Sequence, residues 1–252
     1  MAKIRIGTFN VENLFSRAAV LNKWDFARTS GVLTKIDLLK TELDAQVYDK
    51  SAIAALYAVL HDYVEFNVTS SQGRKRICYR DKKTGTYVVD VDGRDDWNGQ
   101  LVMKRAKFDD VSRKNTAAVI KAIDADILGL IEVEDRQMME DFDSDTLGNL
   151  YAGAISIQGF DQRGIDVGLY FKKGWTLTDM KTHIFEKKGN SRIFSRDCLE
   201  LELVGPDDIR IHVLVNHFKS KSGSDQDDND AKRKRQSTRV AEILKRFDLA
   251  RD

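Results

Sequence analysis

The run Asp126-Ile127-Leu128-Gly129-Leu130-Ile131-Glu132 is apolar or glycine throughout and is closed at both ends by a carboxylate. It is too short for an ordinary helix, and it lacks the polar–apolar alternation of a half-solvated strand. It reads as a strand buried on both faces. Such a strand needs cover on each side, which points the chain towards sheets layered with helices. Helical spacing supplies the cover. From Ser112 to Ala125, Ala117, Ile120 and Ile123 share one side, and from Asp230 to Phe247, Val240, Leu244 and Phe247 share another. Further strands are expected where Ile4 and Ile6 alternate with Arg5 and Gly7, and at Ile165–Phe171, Phe194–Leu203 and Ile209–Phe218. The expected fold class is α/β (α+β).

The stretch after the first strand has a different character. Residues 16–62 look helical, with Val32, Ile36, Leu39 and Leu43 on one face. Ser51 is a candidate cap for a second helix carrying Ile53, Leu56, Tyr57 and Leu60. Residues 63–105 are β-rich. Arg76–Arg80 and Thr86–Val91 flank a Gly-containing loop, the pattern of a hairpin. Residues 22–108 therefore look like an insertion in a single domain spanning 1–252. With 42% apolar residues, a sizeable core is possible. The 41 basic and 40 acidic residues leave a net charge of +1, which neither demands nor excludes a polyanionic partner. Cys78 and Cys198 lie far apart in strand-like runs, as buried free thiols of a reducing compartment would. No apolar run approaches the roughly 18 residues of a membrane span, and the chain begins almost directly with a strand, without a charged-then-apolar leader. A cytoplasmic protein with no membrane partner is expected.

Short polar side chains gather at the expected strand ends. Asn10 ends the first strand. Glu132 ends the buried one, followed by Glu134 and Asp135. Asp161, Arg163 and Asp166 lead into another, and Asn216-His217 closes a fourth just before Lys219. A carboxylate and an amide oxygen are hard ligands suited to Mg²⁺ or Mn²⁺. A histidine beside them can move a proton near neutral pH, and arginines can neutralise charge on a phosphoryl group. Taken singly, each of these groups has a plainer reading. A Glu after an apolar strand is usually a solvated end, His61, His183 and His212 read as structural or surface histidines, and Lys232-Arg233-Lys234-Arg235 reads as a wet helix face. The hairpin cations Arg74, Lys75, Arg76, Arg80, Lys82 and Lys83 suit either a solvated ribbon or a nucleic-acid backbone.

The order of the motifs is more specific than any one of them. Thr8-Phe9-Asn10-Val11-Glu12-Asn13 is followed by Asp126–Glu134, then Arg163-Gly164-Ile165-Asp166-Val167-Gly168, then Phe194-Ser195-Arg196-Asp197, then Val215-Asn216-His217-Phe218-Lys219. In this order they resemble the endonuclease/exonuclease/phosphatase superfamily, the DNase I-like and exonuclease III-like metal phosphoesterases. The resemblance implies a four-layer αββα sandwich of two mixed, mostly antiparallel sheets, with the site at one edge. It implies Glu132 as principal metal ligand with Asn10 nearby, and Mg²⁺ or Mn²⁺ as cofactor. It also implies His217 and Arg196 as catalytic groups, with Asp166 either orienting His217 or lying beside the phosphate. Arg163, Asn216 and Lys219 would face substrate, Arg163 reading equally well as a structural ion-pair partner. The family's later Gly-Asp-Phe-Asn and Ser-Asp-His motifs are not in this sequence. The expectation is thus a fold incomplete at its C-terminus, inactive alone, and completed by a further segment or a second chain. The expected activity is a nuclease, with a nucleic-acid partner. A non-catalytic or partner-completed nucleic-acid-binding module is one alternative, and a phosphatase or phospholipase C-like enzyme is another.

Overall fold

The computed structural model describes residues 3–21, 26–108, 110–221 and 226–247. In chain order, β1 (Ile6–Leu14) leads to α1 (Phe26–Leu43), α2 (Lys50–Leu60), β2 (Val64–Ser71), β3 (Cys78–Arg80), β4 (Tyr87–Val89) and β5 (Trp97–Met103). Then follow α3 (Val111–Ile123), β6 (Ile127–Val133), α4 (Arg136–Phe142), β7 (Gly153–Ser156), β8 (Asp166–Phe171) and β9 (Thr176–Lys181). The last elements are β10 (Lys187–Lys188), β11 (Ser191–Arg192), β12 (Cys198–Val204), β13 (Arg210–Asn216) and α5 (Gln226–Leu244). The chain divides into two compact units, one of residues 1–15 and 108–252 and one of residues 16–107.

The larger unit is layered as the buried run demands. One sheet has the order β1-β6-β8-β7, with β1 parallel to β6 and the other pairs antiparallel. The second is antiparallel, in the order β13-β12-β9. Along β6 the side chains alternate between two cores. Leu128, Leu130 and Val133 join Ala117 and Ile120 of α3 and Met138 and Phe142 of α4. Ile127 and Ile131 face the other way, with Val167 and Leu169 of β8, onto Leu199, Leu201 and Leu203 of β12 and Val215 of β13. Gly129 lies on this inter-sheet face, where a Cβ would meet Val215 Cγ1 at an ordinary van der Waals distance of 3.6 Å. On the outer face of the second sheet, Ile243 and Val240 of α5 pack on Cys198, Ile184 and Phe194. The layers are therefore helices, sheet, sheet and helix: an αββα sandwich.

α5 has little apolar surface, and polar contacts hold it. Arg239 grips Glu186 through Nε (2.6 Å) and a terminal nitrogen (2.8 Å), and Arg246 pairs with Glu200. Between those carboxylates sits His183, with Nδ1 2.7 Å from Glu186 and Nε2 2.8 Å from Glu200. His183 thus has the structural role expected of it. His212 lies on β13 against the Phe247 ring, 4.4 Å between centroids, and His61 caps the end of α2.

Several boundaries differ from expectation. α5 includes Gln226, four residues ahead of the Asp230 start expected for it; 222–225 lie outside the described residues. Lys232–Arg235 consequently falls beyond the first turn, which holds Asp227 and Asp228, where the helix dipole favours anions. The apolar face of α5 centres on Ile243, and Leu244 is half-exposed. Ser51 is not the cap of α2. Asp49 is, accepting from the Ala52 amide at 3.0 Å, while the Ser51 hydroxyl donates to the same carboxylate.

In the smaller unit, Ile36, Leu39, Ile53, Leu60, Val64 and Trp97 form the core. β2 pairs with β5, and β3 with β4 as the expected hairpin. Both cysteines are free thiols, Cys198 buried and Cys78 partly so, and burial pushes both up to about 12.

Candidate active site

Two adjacent strands break register at the same end. β1 and β6 pair regularly to Asn10↔Ile131 and resume at Leu14↔Val133. β8 likewise skips from Ile131 to Val133. The residue left over on β6 is Glu132, with φ at +71°, and Glu12 and Asn13 opposite have φ of +52° and +61°. A β-bulge of this kind re-aims a side chain at a sheet end. Left-handed backbone at a residue with a side chain costs on the order of 1–3 kcal/mol and is concentrated at functional sites. Asn10 shapes the turn on β1, its side-chain oxygen accepting from the Glu12 amide at 2.8 Å.

His217 follows directly on β13 and brings its Nε2 to 3.6 Å from Glu132 Oε1. That separation is longer than a hydrogen bond. Its Nδ1 is buried and meets no protein partner. Burial and the nearby Arg196 guanidinium push the His217 pKa below the ordinary value, so the ring is neutral at pH 7. Arg196 itself is buried and reaches the backbone rather than the imidazole. It donates to the His217 carbonyl from Nε (3.2 Å) and Nη2 (3.1 Å), and to the Phe218 carbonyl from Nη2 (2.8 Å). Nη1 pairs with Asp161 at 2.9 Å. Arg196 therefore positions the turn that carries His217.

Arg163 spends its guanidinium on the same Asp161, at 3.0 and 2.8 Å, and the two arginines hold that carboxyl far below its usual range. Lys219 is tied through its amide, which donates to Gln236 of α5 at 2.9 Å. Asn216 turns its amide nitrogen to the Leu214 carbonyl, leaving Oδ1 buried without a partner. Asp161 and Gln236 are the positioning groups the motifs do not single out. Asp161 was visible only as a neighbour of Arg163, and nothing local marks Gln236.

Asp166 is almost fully buried and accepts from the Gly159 amide at 2.7 Å. It makes no hydrogen bond to His217. Desolvation first, then the charges of Asp161 and Asp197, push its carboxyl up to about 6. The sign follows from a carboxyl raised above its unfolded value. Stability from this group is full below the unfolded pKa and is lost as pH rises towards 6. That loss is about 3 kcal/mol between pH 3 and 7. Asp166→Asn keeps an acceptor for Gly159 and should remove this slope. Urea unfolding of both proteins at pH 4 and pH 7 checks it, and parallel pH dependences would contradict it.

Among the described residues, no three His, Cys, Asp or Glu side chains gather closely enough to hold a metal by themselves. The site offers the Glu132 carboxylate, with the Asn10 amide on the neighbouring strand end. This oxygen set fits a hard cation that keeps waters and takes phosphate oxygens, and does not fit a closed zinc site.

The fold and the site together define a layered αββα protein with hard oxygen donors and an imidazole at one sheet end. The sequence matches the Endonuclease/Exonuclease/phosphatase family over residues 86–248, and the chain belongs to that family of phosphoester-cleaving enzymes. The match includes every site residue named above except those of β1. No curated protein matches the chain. Among solved structures it is similar to truncated TDP2 of Caenorhabditis elegans, at 20% identity and a TM-score of 0.39, over 54% of this chain and 50% of that one. It is also similar to an endonuclease/exonuclease/phosphatase from Bacteroides vulgatus, at 14% identity and a TM-score of 0.40, over 54% and 52%. The chain thus spans about half the length of these structures, and 38% of a longer C. elegans TDP2.

Proposed function

We propose that this chain is part of a Mg²⁺- or Mn²⁺-dependent phosphodiesterase acting on DNA or RNA. The observation that carries the reading is Glu132 on its bulge with the His217 ring 3.6 Å away, in a member of this family. A cation held by Glu132, with Asn10 beside it, would polarise the scissile phosphate and neutralise its charge. His217, neutral at pH 7, presents Nε2 to the same place and stabilises charge on the phosphate. Arg196 holds the His217 backbone still.

Two observations support completion by a further segment or a second chain. His217 Nδ1 is buried without a protein partner. β1 and β13 stand at sheet edges, and Ile6 of β1 is 59% exposed, with Thr8 and Asn10 exposed on the same face. Completion would supply a partner to the ring and cover that face. The test is hydrolysis of plasmid DNA, RNA and a small phosphodiester, with and without Mg²⁺, by the 252-residue chain and by the full product of its reading frame. Metal-dependent cleavage by either carries the reading, and its absence from both overturns it. A longer product that binds nucleic acid without cleaving it would establish the binding-module alternative.

The hairpin β3–β4 supports a nucleic-acid backbone less strongly. Lys75 is engaged by Asp92 at 3.3 Å and Arg76 stacks on Tyr79. Lys82 and Lys83 are exposed in the connecting loop. If they neutralise phosphates, Lys82→Glu with Lys83→Glu weakens binding and flattens its salt dependence by roughly 0.7–0.9 for each phosphate left without its lysine. An unchanged salt slope removes the hairpin from the interface.

A further inference from the structure

Two exposed phenylalanines lie side by side. Phe160 is 44% exposed and Phe185 69% exposed, and their rings meet edge to face with centroids 5.8 Å apart. The Arg192 guanidinium lies over the Phe160 ring, 3.5 Å from its centroid. None of the three is in a core cluster, and Arg192 forms no ion pair among the described residues. The pair with its stacked arginine still leaves much of both rings open to solvent, Phe185 most of all.

Its surroundings are basic. A groove of about 730 Å³ runs between the β10–β11 hairpin and α5, lined by Lys187, Lys188, Lys234 and Arg235. The two carboxylates in its wall, Glu186 and Glu242, both pair with Arg239. The four cations have no carboxylate partner among the described residues. Lys187 is the register partner of Arg192, so the groove and the stacked guanidinium share one hairpin, and Phe185 directly precedes it. The basic surface also reaches the candidate active site. Lys232, between Arg235 and Arg196, donates to Ser195 Oγ at 2.7 Å and feels the charges of Arg196, Lys219 and Arg235. Phe160 precedes Asp161, the partner of Arg196, and its amide donates to the Ser195 carbonyl at 2.8 Å.

We propose that Phe160, Phe185 and Arg192 form a stacking platform for unpaired bases of a single-stranded nucleic acid whose backbone lies in the groove of Lys187, Lys188, Lys234 and Arg235. The proposal rests on the phosphodiesterase reading and names its substrate as single-stranded. Bases in a duplex have their faces covered by neighbours, whereas an unpaired base offers a free face to a ring. Exposed aromatics beside a basic groove are the combination that binds single strands without reading sequence. An anionic membrane or an acidic peptide would use the charge but gain nothing from the edge-to-face geometry with its stacked guanidinium.

The test is fluorescence anisotropy of the 252-residue chain with a labelled oligothymidine of about 12 nucleotides, the matching duplex, anionic phospholipid vesicles and a poly-glutamate peptide. The single strand should bind tightest. Phe160→Ala and Phe160→Leu should each weaken it by roughly tenfold without changing its salt slope, Phe160→Tyr should restore it, and duplex binding should change less than twofold. Lys187→Glu with Lys188→Glu should lower the salt slope by about 1.4, two phosphates at about 0.7 each. Equal losses on single strand and duplex, full binding by Phe160→Leu, or preference for vesicles or peptide would each overturn the proposal. Hydrolysis of a small phosphodiester by the active form separates the two claims. Cleavage without single-strand binding removes the platform alone, and Phe160-dependent binding without cleavage removes the enzyme reading alone.

Discussion

Glu132→Gln should reduce metal-dependent phosphodiester cleavage by roughly a thousandfold or more in the catalytically competent protein, with the unfolding midpoint little changed. The substitution keeps size and shape and removes the one full negative charge that the bulge presents beside His217. A glutamine oxygen is a far weaker ligand for a hard cation, and several kcal/mol of charge stabilisation is lost with it. His217→Ala should cost a similar order in turnover. Glu132→Gly separates function from strain. Gly accepts the φ of +71° that costs Glu on the order of 1 kcal/mol, so this variant should be inactive and slightly more stable. Turnover and urea midpoints on the three variants are the measurements. Retained activity in both Glu132→Gln and His217→Ala would refute the site, and Mn²⁺ binding unaffected by Glu132→Gln would remove Glu132 as a ligand.

Arg196→Ala should destabilise the larger unit by roughly 3–5 kcal/mol, the effect of removing one member of a buried ion pair. The loss has two parts. Asp161 keeps Arg163 but loses its buried partner, and the carbonyls of His217 and Phe218 lose three charge-assisted bonds between them. Arg196→Lys tests geometry against charge. A single ammonium cannot bridge Asp161 and both carbonyls, so most of the stability loss should remain. A positioning role also predicts that whatever activity survives falls in kcat more than it rises in KM, because the His217 turn is loosened. Less than 1 kcal/mol of destabilisation in both variants would show that the turn holds without its clamp.

How much of this was legible beforehand depends on the range of the interaction. The two-sided burial of β6 follows from its own composition. Ile127 and Leu128 fill different cores because successive side chains on a strand point to opposite faces. The helical faces of α3 and the β3–β4 hairpin were likewise visible, since their signals lie within a few residues. The start of α5 was misplaced because Asp227 and Asp228 look like loop residues until the helix dipole makes them good first-turn residues. Glu132, Arg196 and His217 could be singled out by motif order, but their relations could not. That Arg196 holds a carbonyl instead of the imidazole, and shares Asp161 with Arg163, depends on strands brought together by the sheet. Phe160 and Phe185 carry no local sign of being exposed.

Periodicity and residue type are local properties, and they set the layered fold class and the polar groups available at the strand ends. The tertiary structure alone decided how those groups act. The paired bulge that turns Glu132 outward needs β1, β6 and β8 in register. The raised carboxyl of Asp166 and the lowered imidazole of His217 need burial beside particular charges. Desolvation and Coulomb interaction depend on distances between residues remote in the chain, and those distances exist only once the two sheets have packed.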